Sequence, residues 1–136
     1  AAIERAVAMV KDFGIKRGVL LPVSAPFHCP LMQPAADAMA EAFEKTPPGP
    51  LRVALFANVT ASVVTDPAEV KRLLVEQVTG RVRWRESAIA MKAAGVEQFV
   101  EIGGKVLGPM ITRSAGDVGV TSVIGMADIE NILKEL

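Results

Sequence analysis

His28 is the one histidine of the chain, set in Leu21-Pro22-Val23-Ser24-Ala25-Pro26-Phe27-His28-Cys29-Pro30-Leu31-Met32 where a hydrophobic run breaks at a proline-punctuated turn. Such a turn projects side chains from the end of a rigid element, and imidazole is the side chain whose ordinary pKa lies near neutrality. Proton transfer is the chemistry this placement suits; a hydrogen-bonded structural histidine is the alternative. Gln77 is the second informative residue, because it falls on the apolar stripe Val70, Leu73, Leu74, Val78. Its amide or its backbone carbonyl, near a helix end, can accept the proton of an imidazole nitrogen and fix the tautomer. The competing reading leaves Gln77 at the edge of a buried face.

Other residues fit chemistry less well. Cys29 directly follows His28, and neighbours in an extended segment point to opposite sides, so a Cys/His nucleophilic pair is not expected and Cys29 packs instead. Ser24 lies within a predicted strand run, and none of the serines stands in a Gly-x-Ser-x-Gly elbow. One histidine beside one cysteine makes no metal-ligand set. Gly103-Gly104-Lys105, between a strand and a helix, resembles an anion-cradling turn without the P-loop pattern, and close packing of that turn is the reading preferred. Arg81, Arg83 and Arg85 around Trp84 form either a solvated face or a docking site for phosphate or an acidic protein.

The elements that must position these residues alternate. Ile3, Ala6, Val7, Val10 and Phe13 have helical spacing, Gly14 supplies a stop, and residues 17–23 read as a buried strand. Met32, Ala36, Met39, Ala40 and Phe43 mark a helix that ends before Thr46-Pro47-Pro48-Gly49-Pro50. Residues 51–58 read as a strand. Asp66, Pro67 and Glu69 open a helix, with Asp66 as cap and Glu69 able to reach back to it. Further on come a helix over 84–94 stopped by Gly95, a strand over 97–102, a short helix over 105–113, a strand over 120–124 and a terminal helix over 128–136. The alternation predicts an α/β fold, a mainly parallel sheet with flanking helices.

The chain has 136 residues, 51% of them hydrophobic, enough for one domain with a core. Fifteen basic and fifteen acidic residues cancel and are interspersed, so no long-range field favours nucleic acid or an anionic membrane. One cysteine, no membrane-spanning stretch and no signal-peptide order indicate a reducing, cytoplasmic compartment. A helical pattern beginning at Ala1 without an initiating methionine suggests a fragment.

Val23 to Met32, Val75-Glu76-Gln77-Val78 followed by Val82-Arg83-Trp84, and Glu101-Ile102-Gly103-Gly104-Lys105-Val106-Leu107 together resemble the C-terminal half of malonyl-CoA:acyl carrier protein transacylases. The resemblance runs through essentially the whole chain. It implies that residues 24–136 are the C-terminal part of an α/β-hydrolase-like acyltransferase domain, and that residues 1–23 are the last helix and strand of a ferredoxin-like subdomain. It implies ping-pong transfer in fatty-acid biosynthesis: a serine takes malonyl from malonyl-CoA, and the phosphopantetheine thiol of acyl carrier protein removes it. No bound cofactor is implied.

By the same resemblance His28 is the catalytic histidine, and Gln77 the residue whose main-chain carbonyl orients it. Phe27 occupies the position at which similar acyltransferases distinguish malonyl from methylmalonyl donors; its ring leaves no room for an α-methyl group. The nucleophile elbow, the oxyanion-hole glutamine and the malonyl-binding arginine belong to the N-terminal half, a required partner that this sequence lacks. The fragment alone is therefore expected to be inactive and, with half a sheet uncovered, to associate or aggregate. The turn Gly103-Gly104-Lys105 is one residue shorter than the family's frequent Gly-Pro-Gly-Lys. Two alternatives carry other consequences: a non-catalytic domain that binds coenzyme A thioesters or acyl carrier protein, and a purely structural or oligomerising domain.

Overall fold

Helix α1, Ala2–Met9, tightens into a 3-10 turn over Val10–Phe13 and ends where Gly14, at φ 71, returns its amide toward the last carbonyls. The computed structural model describes residues 2–135. After Gly14 the expected strand over 17–23 does not form. The stretch carries no ladder, because the described residues offer it no neighbouring strand; Gly18 instead lies against α1, where a β-carbon would meet Val10 Cγ1 at 3.1 Å. Leu20, Leu21 and Val23 remain exposed.

The His28 turn leads into a 3-10 turn, Pro30–Met32, and helix α2, Gln33–Lys45. The proline-rich segment ends α2, and only Leu55–Ala57 (β1) of the expected 51–58 strand is paired. Its partner is Ser62–Val64 (β2), antiparallel, with Leu55 opposite Val64 and Ala57 opposite Ser62. Sequence pattern misses this hairpin because its 58–61 loop has no Asn-Gly or Asp-Gly pair. Ala61 takes φ 53 in the loop and donates its amide to Ala57 O at 2.8 Å.

Helix α3, Pro67–Thr79, begins as expected: Asp66 accepts the Glu69 amide at 3.0 Å, and Pro67 occupies the first turn where its missing N–H costs nothing. Glu69 does not reach back to the cap; its carboxylate binds Arg72 at 2.7 and 2.9 Å. Val70 and Leu73 pack on Ala57 and Val64, so the hairpin rests on α3. Helix α4, Trp84–Ala93, follows, and Gly95 at φ 92 lets the chain turn into β3, Gln98–Ile102.

Strand β3, helix α5 (Gly108–Ala115) and strand β4 (Gly119–Val123) form a parallel β-α-β unit, with Gln98 beside Gly119 and Ile102 beside Val123. Ala88, Phe99, Ile111 and Ala115 are the core between α4, β3 and α5. Helix α6, Met126–Glu135, closes the described chain; Asp128 accepts the amides of Ile124 at 2.9 Å and Gly125 at 3.0 Å just before it. Among the described residues the strands make two two-stranded sheets, one antiparallel and one parallel, rather than one mainly parallel sheet.

Candidate functional site

His28 has φ 57, in the left-handed region that few non-glycine residues adopt. The turn around it is tied locally: Phe27 N donates to Ala25 O at 2.9 Å, Cys29 Sγ to Pro26 O at 3.0 Å, and Met32 N to Cys29 O at 3.0 Å. Cys29 thus spends its thiol on the turn. With the backbone so bent, the imidazole reaches across to α3 and its Nδ1 lies 3.0 Å from the main-chain carbonyl of Gln77, forty-nine residues away.

That carbonyl is available for a physical reason. The last turn of a helix leaves its carbonyls without intrahelical partners, and α3 ends at Thr79 with Gly80 extended at ψ 154. Glu76 O is taken by the Gly80 amide at 2.8 Å; Gln77 O is left to His28. A carbonyl only accepts, so Nδ1 carries the hydrogen and donates it, and Nε2 keeps the bare lone pair. The Gln77 amide nitrogen also lies 3.4 Å from Nδ1, but it donates to Gly80 O at 3.1 Å. The shorter contact, to the main-chain carbonyl, is the one that favours the Nδ1–H tautomer.

His28 is exposed. A cavity of about 190 Å³ adjoins Gln77, lined also by Asn58, Leu55, Phe56, Ala57, Val70, Leu73 and Leu74. Asn58 Oδ1 and Gln77 Oε1 are buried with no hydrogen-bond partner among the described residues.

The other sequence candidates go elsewhere. Phe27 is 55% exposed and is not among the residues that line the cavity beside Gln77. Arg81 and Arg83 both pair with Glu86, at 3.2 and 3.4 Å, and Arg83 donates to Thr60 O at 2.9 Å, which ties the hairpin loop to the start of α4. The turn after β3 is a set of backbone amides around an anion, as its glycines suggest, but the anion is Glu101. Its buried carboxylate accepts the amides of Val106 at 2.8 Å, Leu107 at 3.0 Å and Gly108 at 3.1 Å. Those amides hold the carboxyl below the usual carboxylate range, Leu107 most strongly, against the opposing effect of burial. Because Glu101 takes up these amides, α5 starts at Gly108 and not at Lys105. Sequence reasoning missed Glu101; the signal was a charged residue sharing the inward side of β3 with Phe99.

Among the described residues no cluster of His, Cys, Asp and Glu could hold a metal ion, and no helix is long and apolar enough to cross a membrane.

No family model matches the chain. The crystal structure of an acyl-carrier-protein-S-malonyltransferase from Bartonella henselae superposes with a TM-score of 0.88 at 46% identity, covering 98% of this chain and 43% of that one. A malonyl-transacylase in complex with its type II PKS acyl-carrier protein superposes with a TM-score of 0.88 at 33% identity, covering 99% of this chain and 44% of that one. The fold class is that of the α/β acyltransferases. The malonyl CoA-acyl carrier protein transacylase of Haemophilus influenzae is 37% identical over 133 residues, which are 97% of this chain and 43% of that protein. By sequence and by fold the chain is a homologue of part of the malonyl CoA-acyl carrier protein transacylases, and it spans about two fifths of the length of the curated relatives it matches.

Proposed function

We propose that this chain is the C-terminal half of a malonyl-CoA:acyl carrier protein transacylase and supplies its general base, His28. The observation that carries the reading is the Nδ1–H bond to the Gln77 carbonyl, which leaves Nε2 free to take a proton. The nucleophile is a serine from the N-terminal half, the part that these residues do not include. His28 Nε2 accepts the serine proton as the serine oxygen attacks the malonyl thioester; the C–S bond breaks, and the imidazolium returns the proton to the coenzyme A thiolate. The phosphopantetheine thiol of acyl carrier protein then gives its proton to the same nitrogen and attacks the acyl-serine, and the serine leaves with that proton. The Gln77 carbonyl and the helix end behind it replace the carboxylate of a serine triad, and stabilise the imidazolium less than an aspartate would.

In this reading residues 1–23 close a ferredoxin-like subdomain and 24–136 complete an α/β-hydrolase-like domain whose sheet becomes mainly parallel once the other half is present. Phe27 faces the malonyl α-carbon in the assembled site and disfavours an added methyl by about 1–3 kcal/mol. The enzyme works in the cytoplasm, in fatty-acid synthesis, without a bound cofactor.

The test is intact-mass spectrometry of the complete protein after brief incubation with malonyl-CoA. A malonyl adduct on a serine outside these residues is expected, and His28→Ala should slow its formation by about 10²–10⁴-fold. An adduct on this segment, or one formed at full rate without His28, would overturn the reading.

A further inference from the structure

Gln77 O faces His28 only because α3 stops where it does: in a continuing helix that carbonyl would accept the amide of residue 81. Two features sit on the stop. The Gln77 side chain folds over the helix end and donates from Nε2 to Gly80 O at 3.1 Å. The α-carbon of Gly80 is so closely approached that a β-carbon there would stand 2.8 Å from Glu76 O and 2.8 Å from Val59 Cγ2. Gly80 N donates to Glu76 O at 2.8 Å, which fixes the same turn from the other side.

We propose that the side chain of Gln77 and the bare α-carbon of Gly80 are positioning elements for the His28 imidazole. Together they lock the last turn of α3, so that the Gln77 carbonyl points at Nδ1 and Nε2 is left unprotonated. Gln77 then acts twice, through its main chain on the ring and through its side chain on the turn that aims that main chain. The inference rests on the reading of His28 as the base.

The rival arrangement has the Gln77 amide, 3.4 Å from Nδ1, donating to the ring. Nδ1 would then be bare and Nε2 would carry the hydrogen, closing the nitrogen that must accept a proton. The two arrangements predict opposite responses when the amide is removed.

In the complete protein the pair of ring ¹⁵N signals that His28→Ala removes belongs to His28, and it reports the tautomer at a pH where the ring is neutral. In the unsubstituted chain the Nδ1–H form should dominate. Gln77→Met, which keeps the unbranched stem and loses the donor, should move the ratio severalfold toward the Nε2–H form that free imidazole prefers. Gly80→Ala should move it the same way, and Val59→Ala added to Gly80→Ala should restore part of the shift by removing one of the two close approaches. Dispersed amide spectra identify the variants that are folded. An Nδ1–H majority that neither substitution changes overturns the inference and leaves the base reading standing. A rise in Nδ1–H on Gln77→Met assigns the amide to the ring and overturns it. An Nε2–H majority in the unsubstituted chain overturns both.

Discussion

His28 and Ala61 are the two non-glycine residues with positive φ among those described, at 57 and 53. The left-handed region costs an L-residue roughly 1–2 kcal/mol, and histidine visits it more readily than alanine does. At His28 the cost is offset by the bond from Nδ1 to Gln77 O, and the bent backbone is what aims the ring at α3. Ala61 gains no side-chain bond in return. Ala61→Gly is therefore expected to stabilise the chain by up to about 1 kcal/mol, less the extra chain entropy that glycine brings to the unfolded state. A shift of the urea midpoint to higher concentration checks this; a shift to lower concentration would mean that the loop has no strain to relieve.

Two helix starts show how an element is placed by one carboxylate. Asp66 caps α3 through a single bond to the Glu69 amide, so Asp66→Ala should cost about 1 kcal/mol, read from the same denaturation curves. Because α3 carries Gln77, that variant should also weaken the hold on His28. Glu101 gathers three amides between β3 and α5, and its folded-state pKa is lowered relative to the unfolded chain. A lowered carboxyl pKa favours folding above the ordinary carboxylate range, and that contribution is lost as pH falls through this range toward the lowered folded value. Asp128 is lowered in the same sense by the Gly125 and Ile124 amides. Glu101→Gln should thus reduce stability at neutral pH and flatten the acid limb, and the two chains should converge in acid. Thermal unfolding scanned against pH measures this; parallel curves would show that Glu101 is not the titrating anchor.

For the whole molecule the surface is the telling quantity. A compact monomer of 14.4 kDa exposes about 6,800 Å², whereas this chain exposes 9986 Å². The excess, about 3,000 Å², is of the size that obligate interfaces bury. It is apolar in several places: Phe13 on the α1 side, Leu20 and Leu21 in the unpaired stretch, Val100 and Ile102 on the outer face of β3, with Ile102 83% exposed. Sedimentation velocity of the purified chain is expected to show concentration-dependent association, relieved by low concentrations of denaturant. A single monomeric boundary at all concentrations would contradict it.

The elements written in local pattern were legible without coordinates. The stripe of α3, the Asp66 and Pro67 start, the glycine stops after the first helix and after α4, and the order of β3, α5 and β4 follow from side-chain spacing and from backbone limits that act within a few residues. The sequence also marked His28 and Gln77 as a candidate pair, but could not choose between a ring partner and the edge of a buried face. Only the tertiary structure decided what depends on contacts between distant segments. It put the Gln77 carbonyl 3.0 Å from the His28 ring. It withheld a ladder from residues 17–23, made a hairpin of residues 55–64, and moved the start of α5 to Gly108. The reason is common to all four: a strand exists only where another strand meets it, and a carbonyl or an amide takes whichever partner the fold delivers. Local propensity states what a segment can form, and the neighbours decide what it does form.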